Sequence, residues 1–82
     1  MKKLLYFTAT WCGPCKRFKP IMENLSAQIP VQFIDIDTNK SMVKKYGITS
    51  VPTTIIVKNG VEVSRFTGVV PPQSLLESYN NG

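Results

Sequence analysis

Histidine is absent from this chain, cysteine occurs only twice, and five acidic residues stand against ten lysines and arginines. A zinc site needs about four cysteine or histidine ligands, so we expect no metal, and no residue pattern indicates a bound cofactor. No apolar run approaches the roughly 20 residues of a membrane-spanning helix. Met1–Phe7 is too short for the apolar core of a signal peptide. We therefore expect a cytoplasmic protein with no membrane partner, in a compartment where thiols stay reduced.

The basic residues are spread along the chain, which argues against a nucleic-acid-binding function. The formal net charge is +5, but a nucleic-acid interface concentrates such charge on one element together with aromatic side chains. The charge favours acidic partners without identifying one, and it helps to keep the protein soluble. No symmetric apolar face is evident, so we expect a monomer. The basic groups lie apart, at Lys2-Lys3, Lys16-Arg17-Lys19, Lys40 and Lys44-Lys45.

Hydrophobic periodicity predicts alternating strands and helices in one domain, residues 1–82. Lys3–Thr8 is a short apolar run typical of a buried strand, and Val31–Ile36 and Thr54–Val57 predict two more. Between the first two strands, apolar residues recur at three- and four-residue spacing and predict a helix that ends before Pro30. Its apolar face consists of Cys15, Phe18, Ile21, Met22, Leu25 and Ile29.

The second half of the chain adds a short helix, a hairpin and a last helix. Thr38 or Asn39 should cap the short helix, and Gly47 should terminate it. Asn59-Gly60 is a strong two-residue hairpin signal, so Val61–Thr67 should run back antiparallel to the preceding strand. Phe66 is out of phase with the alternation of that strand, which indicates a bulge or an edge strand. A last helix opens at Pro71-Pro72. The predicted order is β-α-β-α-β-β-α, an α/β fold with a mixed sheet.

The two cysteines form a Cys-x-x-Cys pair, which in such a chain indicates a redox function. Cys12 falls where the first helix begins, at its exposed entrance, and the free N–H groups and dipole there favour a thiolate. Cys15 turns inward, within reach of a mixed disulfide on Cys12. Gly13 permits close approach of a substrate backbone, and Pro14 stiffens the loop. Lys16 adds positive charge nearby.

Three alternatives stand beside these interpretations. The cysteines could be an inert buried pair, although the helix-start position argues against it. Trp11 could be a core residue; we favour a partly exposed ring that shields the thiol and contacts the substrate protein. The Val51–Pro52 bond could be trans and simply start a strand. A cis bond would instead turn the Val51 backbone toward an extended partner chain.

The chain resembles the thioredoxin family from Leu4 almost to its end. The resemblance implies a minimal thioredoxin fold of three helices and a four-stranded sheet ordered 2-1-3-4, with the first and third helices on one face. It also implies a cis Val51–Pro52 bond beside the cysteines. The implied substrate groove comprises Trp11, Gly13, Pro14, Ile36, Val51, Pro52, Thr67, Gly68 and Val69. The motifs that carry the resemblance are Trp11-Cys12-Gly13-Pro14-Cys15-Lys16, Pro20, Val51-Pro52-Thr53, Lys58-Asn59-Gly60 and Gly68.

The sequence departs from the family pattern in three ways. The usual first strand and helix are missing, so that the domain is glutaredoxin-sized. Tyr6 aligns with a buried aspartate that moves the proton of the resolving thiol, and Phe33 aligns with the lysine partner of that aspartate. Thr8 replaces a common tryptophan, which should loosen the packing around the site. A phenol is a poor base, so Asp35 or water is left to take the proton.

The resemblance implies a thiol–disulfide oxidoreductase and electron carrier. Cys12 would attack disulfides of client proteins, Cys15 would resolve the intermediate, and a thioredoxin reductase would recycle the pair. One alternative is a glutaredoxin-like enzyme recycled by glutathione, but the segment 68–72 lacks the acidic residues that would hold the glutathione amine. Another is a non-catalytic binding subunit with the same fold.

Overall fold

The computed structural model describes residues 1–81, and its element order is the predicted β-α-β-α-β-β-α. Each segment that the sequence predicts to be a strand is a strand, and each predicted helix is a helix. Within the described residues, no helix is both long and apolar enough to cross a bilayer. That residues 1–82 form a single domain without the usual first strand and helix stays a prediction. The elements are β1 (Lys2–Thr8), α1 (Gly13–Ser26), β2 (Val31–Asp35), α2 (Lys40–Tyr46), β3 (Thr53–Lys58), β4 (Val61–Thr67) and α3 (Pro72–Asn81).

The four strands form one mixed sheet in the order β2-β1-β3-β4, which confirms the predicted 2-1-3-4 order. Strand β1 pairs parallel to β2 and antiparallel to β3, and β3 pairs antiparallel to β4. The hairpin turns at Asn59 and Gly60, whose φ angles of 54° and 83° suit the tight turn predicted for this dipeptide. Because β1 lies between β2 and β3, its carboxyl end, which leads to the cysteines, is flanked by a strand on each side.

The two faces of the sheet carry separate cores. Because side chains alternate along a strand, β1 sends Leu4 and Tyr6 to one face and Leu5 and Phe7 to the other. The first face is covered by α1 and α3, as predicted. Its core cluster is Leu4, Tyr6, Phe18, Met22, Leu25, Ile29, Ile56 and Leu75. The second face packs against α2, which contributes Met42, Val43 and Tyr46.

A bulge in β4 explains why Phe66 is out of phase. Ile56 faces Ser64 and the next residue, Val57, faces Glu62, so Val63 is an extra residue between the two pairs. The extra residue brings Glu62 and Arg65 to the same face, and their side chains form an ion pair at 2.8 Å. Beyond the bulge, Phe66 packs on the core of the opposite face. Strand β4 is both bulged and at the sheet edge.

The predicted side-chain cap of α2 is wrong. Asn39 occupies the N-cap position but makes no capping hydrogen bond. Its side-chain amide instead donates to the Asp35 carbonyl at 3.0 Å, which ties the loop to the end of β2. The other end agrees with expectation, since Gly47 adopts the left-handed conformation with φ 62°.

Leu75 fixes α3 to the sheet, because it is the fully buried residue of that helix. We expect Leu75→Ala to lower the free energy of unfolding by about 3 kcal/mol, from lost transfer energy and the cavity left behind. Urea unfolding followed by circular dichroism measures the change.

Glu77→Ala is the matched control, since Glu77 is exposed on the same helix and should leave the unfolding midpoint nearly unchanged. Equal effects of both substitutions would show that α3 contributes through its helicity and not through this contact.

Candidate redox site

The two cysteines lie at the start of α1 and are joined by a disulfide. Cys12 is the N-cap residue of α1, and the Cα atoms of Cys12 and Cys15 are 5.2 Å apart, within the usual disulfide range. The Cys15 backbone N–H donates to the Cys12 sulfur at 3.2 Å. This is the contact of an N-cap side chain with the first turn, made here by sulfur in place of oxygen. This contact would stabilise a thiolate on Cys12 more than a neutral thiol.

The expectation that Cys12 is exposed at the helix entrance is wrong for this disulfide form. Cys12 is 5% exposed and Cys15 is 2% exposed. Ala9, Ile36 and Val51 pack around the pair and form a small cluster with it. The two sulfur atoms therefore differ little in exposure. They differ in their surroundings, because each one borders a different recess in the surface.

A groove of about 410 Å³ opens on the Cys12 side. Of the nine predicted substrate residues, five lie in its wall: Trp11, Gly13, Pro14, Ile36 and Val51. Sequence reasoning missed the loop residues Ile48, Thr49 and Ser50, which line the same groove. No motif marks these three residues, although their position just before Val51 could have suggested them.

The other four predicted substrate residues lie beside the groove and not in its wall. The Val51–Pro52 bond is cis, as the resemblance implies, and Pro52 is buried. Its carbonyl accepts a hydrogen bond from the Gly68 N–H at 2.8 Å, which joins this loop to the end of β4. Thr67 pairs with Thr53 across the strands, and Val69 is 47% exposed.

Trp11 is 64% exposed, so the core alternative for this residue is excluded. Its indole N–H donates to the Asp37 carboxylate at 2.9 Å. This bond ties the segment before Cys12 to the end of β2 and holds the ring over the groove. Sequence reasoning missed Asp37, because no local spacing connects the two residues.

The Val51 carbonyl oxygen lies 3.7 Å from the Cys12 sulfur. In the reduced protein the Cys12 thiol can donate to this oxygen. The cis bond thus places a backbone acceptor directly beside the sulfur that the motif predicts to be the nucleophile.

Comparisons with known proteins agree with this geometry. A family model described as Thioredoxin matches residues 1–81. The chain is 39% identical over 77 residues to thioredoxin from Chlamydia trachomatis, covering 90% of this chain and 76% of that protein. Thioredoxin from Staphylococcus aureus is 39% identical over 79 residues, covering 92% and 76%. The chain belongs to the thioredoxin family.

Solved thioredoxin structures superpose closely on it. A mutant thioredoxin from Halobacterium salinarum gives a TM-score of 0.90 at 32% identity, over 98% of this chain and 73% of that one. Thioredoxin from Fasciola hepatica gives 0.87 at 32% identity, over 98% and 79%. With the Cys12–Cys15 disulfide at the predicted position, the protein is a thiol–disulfide oxidoreductase.

In this thioredoxin-family protein Tyr6 is fully buried, in the core of the sheet face that α1 and α3 cover. Its ring packs edge-on against Phe18 and Phe33, with centroids 5.7 Å and 5.5 Å away. Within residues 1–81 the buried phenol oxygen makes no hydrogen bond of good geometry, although the Thr8 side chain lies close enough to interact with it. Burial raises the pKa of Tyr6, and this interaction with Thr8 opposes part of the shift. The phenol therefore stays protonated at neutral pH and accepts no proton from Cys15.

A second recess, of about 490 Å³, opens on the Cys15 side between α1 and the strands β1 and β2. We call it the Cys15 cleft. Thr8 is in its wall; that this residue loosens the packing around the site stays a prediction. Its wall consists of Tyr6, Thr8, Ala9, Thr10, Cys15, Lys16, Lys19, Glu23, Phe33 and Asp35.

Removing the Tyr6 hydroxyl should stabilise the protein. A buried hydroxyl without a hydrogen bond of good geometry costs about 1–3 kcal/mol, so Tyr6→Phe should raise the free energy of unfolding by about 1 kcal/mol at pH 7. Chemical denaturation of the two proteins measures the difference.

The same pair of proteins should differ in alkaline solution. Because folding raises the pKa of Tyr6, the unfolded chain loses this proton first. The part of the free energy of unfolding that depends on this proton is therefore constant below the usual tyrosine pKa, near pH 10. It falls as the pH rises further. Tyr6→Phe should lack that part of the decline, and identical pH profiles would contradict a buried phenol.

Proposed function

We propose that this protein reduces disulfide bonds of client proteins and is recycled by a thioredoxin reductase. The observation that carries the proposal is the hydrogen bond from the Cys15 N–H to the Cys12 sulfur at the N-terminus of α1. It favours a thiolate on Cys12 over one on Cys15, and thiol–disulfide exchange needs one thiolate and one resolving thiol. The pair thus has unequal members.

The reaction follows from this inequality. The Cys12 thiolate attacks one sulfur of the client disulfide, and the other client sulfur leaves with the electron pair. Cys15 then loses its proton and attacks the Cys12 sulfur, which releases the second client thiolate. The products are a client dithiol and the Cys12–Cys15 disulfide, which a reductase returns to the dithiol. Lys16, exposed one residue beyond Cys15, supports the thiolates with its charge.

Client segments are proposed to bind in the groove on the Cys12 side. Trp11, Gly13 and Pro14 would form one wall, and Ile36 and Val51 the other. An extended client strand would pair with the backbone at Val51 in the manner of strand addition. Pro52 would hold that backbone in place, and Thr67, Gly68 and Val69 would extend the contact surface past the end of β4.

The cytoplasm is the proposed compartment, and a monomer the proposed state. A reductant acts where the surrounding thiol pool is itself reduced. The basic side chains are dispersed over several elements, which supports binding of proteins over binding of nucleic acid.

Insulin reduction with NADPH and a bacterial thioredoxin reductase tests the function. We expect turnover by the wild type and none by Cys12→Ser. Cys15→Ser should accumulate a covalent mixed disulfide with the client, visible by mass spectrometry, because no second thiol resolves it. Both variants keep the size of the side chain and serve as controls for each other.

The alternatives give different outcomes. Turnover with glutathione as sole reductant, and none with the reductase, would identify a glutaredoxin-like enzyme. Full cellular function of the double variant Cys12→Ser/Cys15→Ser would identify a binding subunit, since that role needs neither sulfur.

Tyr6 is proposed to slow the resolving step, because a neutral buried phenol takes no proton from Cys15. Tyr6→Asp should speed resolution at pH 7 by about tenfold or more, as a positioned general base does. Rapid-quench measurement of the mixed disulfide follows this step directly. Tyr6→Asn is the matched control of similar size without a titrating group, and it should show no such gain. An unchanged rate and pH dependence in Tyr6→Asp would contradict the proposal.

A further inference from the structure

We propose that Arg65 is a positioning residue for client binding. Its guanidinium group fixes the end of α2, and with it the segment 48–51 that lines the groove on the Cys12 side. Arg65 itself lies on β4, outside the wall of that groove, so it acts through the backbone that it holds. The inference rests on the proposed function, since it concerns how the groove receives a client.

Helix α2 is weakly anchored by its own side chains. It lies wholly within the described residues, and none of its seven residues is buried. Met42, Val43 and Tyr46 pack on the core of the second sheet face but stay partly exposed. A helix of this length is unstable in water on its own. Contacts with the rest of the fold therefore decide where α2 ends.

The end of α2 is closed by a backbone turn and by Arg65. The Ile48 N–H donates to the Val43 carbonyl at 3.0 Å, across the left-handed Gly47, which is the long bond of a Schellman motif. The Tyr46 carbonyl takes no part in that motif and accepts a hydrogen bond at 2.5 Å from the Arg65 guanidinium. The positive charge is also favourable there, because the C-terminus of a helix carries partial negative charge.

The guanidinium group is itself held in one orientation by Glu62. The Nε and Nη2 atoms of Arg65 donate to the two carboxylate oxygens of Glu62, each at 2.8 Å. This bidentate pair fixes the plane of the guanidinium group, and Nη2 also donates to the Tyr46 carbonyl. Without the extra residue Val63, Glu62 and Arg65 would face opposite sides of the sheet. The bulge in β4 thus makes this anchor of α2 possible.

The anchored end of α2 leads directly into the wall of the groove. Residues 48–51 line the groove, and only Gly47 separates them from Tyr46. The far end of the segment is held at Pro52, whose carbonyl accepts the Gly68 N–H at 2.8 Å. The guanidinium group fixes the near end. Its loss should therefore let the segment move relative to the cysteines.

A wall that is fixed before the client arrives favours binding, because less conformational freedom is lost in the complex. If the wall is in place in only a fraction of the molecules, the apparent affinity for the client falls by that fraction. The exchange step that follows binding should keep its rate, since neither sulfur loses a contact. The effect should thus appear in the client concentration at half-saturation and not in the plateau rate.

Amide hydrogen exchange, followed by NMR, tests whether Arg65 holds the segment. Arg65→Met removes the guanidinium group and keeps an unbranched side chain. We expect the Ile48 amide to exchange about tenfold faster, the order expected for loss of a hydrogen bond from a charged donor. The Gly68 amide, at the far end of the segment, should exchange as in the wild type. An unchanged rate at Ile48, or equal acceleration at both amides, would overturn the proposal.

Single-turnover reduction of insulin by the pre-reduced protein tests the effect on a client. Arg65→Met should raise the insulin concentration at half-saturation by about threefold, as for a wall in place in about a third of the molecules. The plateau rate should be unchanged, and so should the rate with hydroxyethyl disulfide, a small neutral substrate. An unchanged half-saturation concentration would overturn the proposal, as would a fall in both of these rates.

Lys58→Met is the matched control. It removes the same charge from an exposed residue at the end of β3, and it should give wild-type values in both experiments. Equal effects of Lys58→Met and Arg65→Met would overturn the proposal in favour of a general charge effect.

Should Arg65→Met not fold, Arg65→Lys takes its place. It keeps the charge but lacks the planar fork of donors, so both measured quantities should change in the same direction. Wild-type values for Arg65→Lys would then overturn the proposal. A wild-type protein that fails to reduce insulin would refute the proposed function alone, because exchange at Ile48 still reports whether Arg65 holds the segment.

Discussion

The contact between the Cys15 N–H and the Cys12 sulfur depends on the first cysteine lying at the N-cap of α1. That position is set by the core and not by the motif. Strand β1 is buried on both faces, and α1 is fixed to one of them by Phe18, Met22 and Leu25. The chain has only residues 9–12 in which to pass from the end of the strand to the helix. Any shift of α1 along its axis would therefore move the sulfur away from the first turn.

The site has two sides that depend on different residues. On the Cys12 side, the groove combines the motif with the loop that contains the cis bond, and this side keeps the residues typical of the family. On the Cys15 side, Tyr6, Thr8 and Phe33 border the cleft. The two cysteines are both buried, and they differ in the recess that each one borders.

The parts of the structure that could be predicted are those with strong signals in the local sequence. The apolar run of β1 and the Asn59-Gly60 turn are signals contained within a few residues, so that strand and the hairpin were expected. The motif and the resemblance to thioredoxins located the cysteines and five of the groove residues. Asn39 was expected to cap α2 because asparagine does so in general, yet its amide found the Asp35 carbonyl instead.

Contacts between distant segments account for what the sequence did not reveal. The burial of Cys12 arises from Ile36 and Val51, which are brought there by β2 and by the loop before β3. The Trp11–Asp37 bond spans 26 positions. The size of the cleft follows from the placement of α1 over β1 and β2, which periodicity within one segment does not encode.

The bulge at Val63 has a consequence for the outer edge of the sheet. Strand β4 leaves its far side unpaired, and Val61 and Val63 are 64% and 48% exposed there. A straight apolar edge of this kind is a template for strands of other molecules. The extra residue breaks the regular spacing of donors and acceptors, and it turns the charged side chains of Glu62 and Arg65 to one face. The irregularity thereby makes this edge a poorer template for pairing with another strand.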